Sequence, residues 1–354
     1  MKTIRLKTKS SSVESVIICR KNLKATFEDI KKELCDGFIF TDENVYRLYG
    51  GKIKKYLDGV PVHVMEAGEA HKNEQTLFAL LTAMAESNLR RNSTIIALGG
   101  GVVGDIGGLA ASLYMRGINC VQVPTTLLAQ VDASVGGKTA IDFNGVKNLI
   151  GAFKQPSKVF ADSSFFATLP LREIRCGLGE IIKHGALHAP LFEKLWQNKD
   201  RLFDIQFLAE IVPENIAYKA SIVRQDPNEA NLRKCLNLGH TIAHALELSG
   251  LTLSHGECVA LGLLFEIRIA KRYCNVDTEF LSRLDELCFA VLGGKPKLPE
   301  SLEEAAKAAL LDKKNLSSGK VVVTAPLSVG KYEFIELPFA EYAELLGQIR
   351  RKLC

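Results

Sequence analysis

Two rhythms of apolar and polar residues alternate along the first half of the chain. Asp36–Phe40 is a short apolar run closed by a polar turn over Thr41–Asn44. Gln75–Arg91 places Leu77, Leu80, Leu81 and Met84 at helical spacing. Thr94–Leu98 (TIIAL) reads as a buried strand, followed by glycines and a second helical run, Ile106–Tyr114. Val121–Val123 and Val159–Ala161 read as further strands. Strands interleaved with helices predict a parallel sheet covered on both faces.

After about Asp162 the pattern changes. Helical spacing runs through Leu171–Ala186, Phe207–Gln225, Leu232–Ser249, Cys258–Tyr273 and Thr278–Leu292, and only Val321–Thr324 reads as a strand. The expectation is an α/β domain over residues 1–165 and a mostly helical domain over 166–354.

Composition narrows the class. Apolar residues make up 47% and charged residues 24%, as in a globular protein rather than a disordered one. A net charge of +5, with scattered cations, gives no basic stripe for nucleic acid but suits an anionic small-molecule substrate. Nine cysteines without C-x-x-C spacing argue against a disulfide framework or a cysteine zinc site. The first twenty residues lack a signal-peptide apolar run, and no stretch approaches the ~18 apolar residues of a membrane span. A cytoplasmic protein is expected.

Two glycine-rich turns carry candidate chemistry. After TIIAL, Gly99, Gly101 and Gly104 satisfy G-x-G-x-x-G between a strand and a helix. There, glycines let backbone N–H groups approach a pyrophosphate at a helix N-terminus. No acid for the ribose follows about 20 residues later, where Val121–Pro124 lies. The alternative is a tight βα turn with a packing role. Further on, Gly136-Gly137-Lys138-Thr139 imitates the end of a P-loop, but alanine stands at 133 where its first glycine belongs. Lys138, Lys147 and Asn148 remain anion-binding candidates, set against ordinary surface residues.

Five of the seven histidines fall between 184 and 255. On a helix over Leu232–Ser249, Arg233, Asn237, His240 and His244 share one face flanked by apolar residues. Burying such a stripe costs several kcal/mol unless it is paired or ligated. Ser254-His255-Gly256-Glu257 has capping-box form, which puts His255 at a helix N-terminus. Glu180, Lys183 and His184 share a face at i, i+3 and i+4. One carboxylate with two imidazoles is a common catalytic zinc set, with His244 and His255 both open as the second imidazole. Histidines satisfied within a core are the plain alternative.

Taken together, the stretches LGGGVVGDIGG, QVPTTLLAQVDASVGGKTAI, KNLIGAF, TLPLREIRCGLGEIIKHG, LNLGHTIAHALE, SHGECVALG and DKKN resemble the dehydroquinate synthase family of sugar-phosphate cyclases. The resemblance runs from about residue 36 to 315 and is weak at both ends. It implies a Rossmann-like N-terminal domain, a helical C-terminal domain, NAD, and zinc or cobalt. It also implies a phosphorylated seven-carbon keto-acid substrate, 3-deoxy-D-arabino-heptulosonate 7-phosphate. The implied product is 3-dehydroquinate, formed on the shikimate pathway by oxidation, phosphate elimination, reduction and aldol closure.

Carried over residue by residue, Glu180, His240 and His255 match the metal ligands, which puts His244 in the surrounding catalytic network. Asp42 and Asn44 match the adenosine contacts. Glu69, Lys72, Gly101, Val102, Val103, Gly104, Asp105, Thr125, Thr126, Phe165, Phe166, Ala167 and Thr168 match the rest of the cofactor pocket, with Lys138 and Lys147 beside the phosphates. Asp132, Lys138, Asn148, Lys183, Lys219, Glu229, Arg233 and Asn237 match substrate positions, as does one of Lys313 and Lys314. Arg116 matches an arginine that reaches the neighbouring subunit's substrate, implying a homodimer. His184 departs from an expected tyrosine, and Pro227-Asn228 from a more charged segment. The rival readings are another sugar-phosphate cyclase, a metal-dependent polyol dehydrogenase of similar architecture, and a non-catalytic nucleotide-binding relative.

Overall fold

A computed structural model describes residues 1–8, 14–34, 36–247, 252–295, 298, 302, 306–307 and 319–353. They form two compact units, one of Met1–Leu169 with Leu208–Pro227, the other of Pro170–Phe207 with Asn228–Cys354.

The first unit is an α/β layer structure. Its seven-stranded sheet contains β1 (Lys2–Leu6), β2 (Ser15–Arg20), β3 (Gly37–Asp42), β4 (Val62–Met65), β5 (Thr94–Gly99), β6 (Asn119–Pro124) and β9 (Lys158–Asp162). The spatial order is β1-β2-β9-β6-β5-β3-β4, parallel throughout except for the β1–β2 pair. Successive side chains of a strand point to opposite faces, and here both faces are dry. Phe38, Phe40, Ile95 and Ala97 meet α3 (Glu74–Glu86) and α4 (Gly101–Leu113) on one side. Ile39, Ile96 and Leu98 meet α1 (Leu23–Lys32) and α2 (Glu43–Tyr56) on the other. That two-sided burial explains why TIIAL shows no polar alternation.

From β3 the chain runs outward to β4, and from β5 it runs the other way to β6. The carboxyl ends of β3 and β5 therefore flank a topological switch point, where parallel sheets place ligands. Asp42 and the glycine turn after Gly99 stand at those two ends. A hairpin of β7 (Lys138–Phe143) and β8 (Val146–Phe153) packs on α4 through β7. Lys138 thus opens a strand where a P-loop requires a helix.

The second unit is mostly helical. It contains α5 (Leu171–Leu187), α6 (Ala189–Gln197), α8 (His240–Glu247), α9 (His255–Tyr273), α10 (Thr278–Leu292), the hairpin β10 (Lys320–Ser328) and β11 (Lys331–Pro338), and α11 (Phe339–Leu353). From Leu208 onward, α7 (Ile205–Gln225) belongs to the first unit. At the centre, α9 is buried continuously from Gly256 to Ile267 and packs against α5, α8 and α10.

Three sequence expectations need correction. The polar stretch Thr41–Asn44 is no turn: β3 runs to Asp42, and Asp42 accepts a hydrogen bond from Val45 N–H at 2.9 Å as the N-cap of α2. Val321–Thr324 is not a lone strand, because Lys331–Pro338 pairs with it as β11. The helix expected over Leu232–Ser249 is broken. A 3₁₀ segment covers Leu232–Asn237, Gly239 turns at φ +79°, and α8 starts at His240. Helical spacing counted across Gly239 ignored its access to left-handed backbone.

Candidate active site

In the first unit, the cofactor expectations gather around the turn after β5. Gly100 caps α4 from extended backbone, and Thr125 N–H donates to Gly99 carbonyl at 2.9 Å, tying the loops after β5 and β6 together. Glycine is needed here for close packing: a Cβ on Gly107 would lie 2.9 Å from Ala97 Cβ, and one on Gly108 2.4 Å from Thr139 Cγ2. Gly99, Gly101, Gly104, Gln122 and Ala133 line a small cavity beside the helix N-terminus.

Lys72 organises the neighbouring charges. It is 5% exposed; its Nζ lies 2.7 Å from Asp105 and donates to Asn148 Oδ1 at 2.6 Å, with Glu69 at 3.9 Å. Burial pulls its pKa down, but Asp105 and Glu69 outweigh it and hold the ammonium above its usual range. The backbone of Lys72 also accepts from Asp142 N–H, and Asp142 in turn accepts from Asn148 N–H at 2.7 Å. Asn148 sits at φ +52°, and its bond to Lys72 joins a cofactor expectation to a substrate expectation. Asp132 and Lys219 also meet, Lys219 Nζ donating to Asp132 Oδ1 at 2.7 Å and to its carbonyl at 2.6 Å.

Other expected residues are placed differently. Asn44, Glu69, Arg116, Lys138, Lys147, Asn148, Ala167 and Thr168 are exposed. Asp42 spends a carboxylate oxygen on the α2 cap, and burial raises its pKa. Phe165 and Phe166 turn into the core, leaving their backbone for any ligand, while Thr168 Oγ1 shares a 2.7 Å hydrogen bond with Tyr49. Lys313 and Lys314 lie outside the described residues.

In the second unit, backbone contacts set the candidate metal centre. A Cβ on Gly179 would sit 1.9 Å from Gly256 carbonyl oxygen, and one on Gly256 1.8 Å from Cys176 carbonyl oxygen. Only glycines let α5 and α9 approach so closely. That approach sets Glu180, from α5, beside His255 at the N-terminus of α9. The capping box is present: Ser254 N–H and hydroxyl both donate to the Glu257 carboxylate, at 2.8 and 2.7 Å. His240 arrives from the start of α8.

Glu180 Oε1 lies 3.1 Å from His255 Nε2 and 3.3 Å from His240 Nε2, and the three donor atoms fall within 4.8 Å of one another. The opposite ring nitrogens are also engaged. His240 Nδ1 faces Leu238 carbonyl at 3.1 Å, and His255 Nδ1 faces Glu247 Oε1 at 2.5 Å. A proton on each Nδ1 leaves the Nε2 lone pairs turned toward Glu180, the orientation of metal-binding histidines. One carboxylate and two such imidazoles fit a divalent metal.

The electrostatics agree. Burial opposes ionisation of Glu180, yet Lys183 and then His240 hold it well below the usual carboxylate range. Burial pulls His240 down to about 4, a neutral donor. Burial also opposes the charge on His255, but hydrogen bonds with Glu180 and Glu247 lift it to about 10, so metal binding there releases a proton.

The structure brings the predicted Glu180, Lys183, His240 and His255 together and packs His244 edge-on to His240 at 5.3 Å, with His244 itself exposed. The shared inward face of Arg233, Asn237, His240 and His244 does not form, because the chain turns at Gly239. Arg233 is buried in its 3₁₀ segment, and Asn237 donates to Glu229 Oε1 at 2.9 Å. Sequence reading missed Glu247 and Glu266. Glu247 lies two turns beyond His240 on the same helix, a signal that was present; Glu266 carried none.

The family model described as 3-dehydroquinate synthase N-terminal matches residues 62–176, and 3-dehydroquinate synthase C-terminal matches 177–315. A 3-dehydroquinate synthase from Thermoanaerobacter sp. (strain X514) is 43% identical over 332 residues, covering 90% of this chain and 92% of that protein. Among solved structures, a 2-epi-5-epi-valiolone synthase from Streptomyces hygroscopicus subsp. jinggangensis 5008, with NAD+ and Zn2+ bound, aligns at TM-score 0.86 and 27% identity over 98% of this chain and 99% of that one. A 2-deoxy-scyllo-inosose synthase complexed with carbaglucose-6-phosphate, NAD+ and Co2+ aligns at TM-score 0.87 and 23% identity, covering 98% and 99%, and shares the fold.

Proposed function

The chain belongs to the 3-dehydroquinate synthase family, and from that premise we propose how its residues divide the reaction. It is a phosphate-eliminating carbon–oxygen lyase that converts 3-deoxy-D-arabino-heptulosonate 7-phosphate to 3-dehydroquinate and phosphate. The observation that carries the assignment of roles is the convergence of Glu180, His240 and His255 on one point, with both outer imidazole nitrogens hydrogen-bonded away from it.

NAD is held by the first unit, where Asp42 and Asn44 take the adenosine end. Glu69, Lys72, Gly101–Asp105, Thr125, Thr126, Lys138, Lys147 and the backbone of Phe165–Thr168 take the rest. Zinc, or cobalt in its place, is held by Glu180, His240 and His255. When bound, NAD takes up and returns a hydride, and the metal polarises the oxygen being oxidised.

The chain's own residues supply position and charge. Lys183 and Arg233, both buried, pair with anionic groups of the substrate by charge-assisted hydrogen bonds, with Lys138, Lys147 and Arg116 as further cations. Asp132 and Lys219 hold each other ready for substrate hydroxyls in the first unit, and Asn148, Glu229, Asn237 and His244 are further polar residues assigned to the substrate. The substrate phosphate takes the proton whose removal drives its own departure.

We place the protein in the cytoplasm, where the free thiols of the seven described cysteines stay reduced. No helix among the described residues is long and apolar enough to cross a membrane. A homodimer is supported by the exposed apolar side chains Val146, Leu149, Ile150 and Phe153 of β8, with Leu113 and Met115 beside the outward-facing Arg116.

The deciding assay follows phosphate release and NADH absorbance together, with the phosphorylated keto-acid, NAD and zinc. Phosphate release without net NADH, abolished by a chelator and restored by zinc, is expected. Stoichiometric NADH without phosphate would make the protein a dehydrogenase. Phosphate release from a phosphosugar lacking the carboxylate, and none from the keto-acid, would make it a different cyclase.

A further inference from the structure

Glu266 has no place in the chemistry above, yet it is a fully buried carboxyl in the middle of α9, about three turns from His255. A buried carboxyl is costly unless hydrogen-bonded, and the partners of this one are specific. Oε2 accepts from Gly239 N–H at 2.6 Å and Oε1 from Thr241 N–H at 3.2 Å. These are the backbone amides immediately before and after His240. Burial pushes the carboxyl up to about 8, against the pull of those same donors.

The segment it grips is pinned from below as well. A Cβ on Gly262 would lie 1.8 Å from Gly239 carbonyl oxygen, so α9 presses directly on the turn. Gly239 itself stands at φ +79°, and a Cβ there would lie 2.9 Å from Val259 carbonyl oxygen. Helix α8 begins at His240, where amides lack intrahelical partners. Glu266 thus does from another helix what an N-cap side chain does locally.

We propose that Glu266 is a positioning residue for the metal centre: by gripping the amides on either side of His240 it sets where His240 Nε2 points, without touching metal or substrate. This rests on the reading of Glu180, His240 and His255 as metal ligands. The same α9 then delivers two of the three ligands, His255 from its N-terminus and His240 through the Glu266 grip.

The test compares wild type with Glu266→Gln at a pH above 8, where Glu266 is ionised, so that the substitution keeps the volume but turns one acceptor into an NH₂ group facing a backbone N–H. Zinc affinity is measured by competition with a chromogenic chelator, and the visible absorption of the cobalt-substituted protein reports ligand geometry. Thermal unfolding of the metal-free protein gives the purely structural effect. Weaker zinc binding by about tenfold or more, an altered cobalt spectrum, and a fall in kcat with little change in KM are expected. Lower metal-free stability with unchanged zinc affinity and cobalt spectrum would overturn the proposal and leave Glu266 a structural residue. Should Glu266→Gln fail to fold, Glu266→Asp, whose shorter side chain loosens both bonds, decides by the same readouts. A wild-type protein that takes up no cobalt would overturn the metal reading and this inference with it.

Discussion

Lys72 shows how much a single side chain can carry. Its ammonium satisfies Asp105 and Asn148, and its carbonyl anchors Asp142, so it joins the α4 turn to the β7–β8 hairpin. Replacing it by methionine leaves Asp105 with an uncompensated charge; a broken buried pair costs about 3 kcal/mol. Urea unfolding of Lys72→Met should show a loss of that order, and calorimetry a weaker affinity for NAD. Unchanged stability would mean that Asp105 finds water or another partner. The sequence marked Lys72 through its likeness to the family and Asn148 through its nearness to Lys138, but nothing local said that they touch. Their separation along the chain is closed only when the hairpin folds back over α4.

At the scale of elements, the glycines decide. The α5–α9 crossing is a backbone-to-backbone contact at Gly179, Gly256 and the Cys176 carbonyl. Gly256→Ala must push the two helices apart, at a cost of about 3 kcal/mol, and it moves His255 away from Glu180. Thermal unfolding and zinc titration of that variant should both show losses. Wild-type zinc affinity with lowered stability would mean that the ligands follow the backbone shift.

The same lesson explains the broken helix. Residues 232–249 carry an unbroken helical rhythm, and rhythm alone predicts one helix. The break lies at the left-handed Gly239, whose carbonyl the bare Gly262 leaves room for and whose amide donates to Glu266. Both partners lie on α9, beyond the reach of any local pattern. Glu180, Lys183 and His255, by contrast, were legible because each sits on an uninterrupted helix or at a capping box.

At the scale of the molecule, the exposed apolar strand β8 makes its own prediction. Ile150→Asp or Phe153→Asp places a charge in the patch proposed to be covered by a second copy, and light scattering should then find monomers with reduced turnover. A dimer unaffected by both changes would place the interface elsewhere. The boundary expected near residue 165 rested on a change from interleaved strands and helices to helices alone. That α7 from Leu208 to Gln225 belongs to the first unit was not visible, because periodicity reports which face of a helix is apolar and never what covers it. The sequence by itself determined the parallel sheet, through apolar strands with no polar face, and it supplied the carboxylate and imidazoles of the candidate metal centre while leaving His244 and His255 open until the likeness to the family was used. Tertiary structure alone decided how Glu180, His240 and His255 converge, because their geometry depends on backbone contacts between residues far apart in the chain: α5 on α9 at paired glycines, and the Gly239 turn held by Gly262 and Glu266.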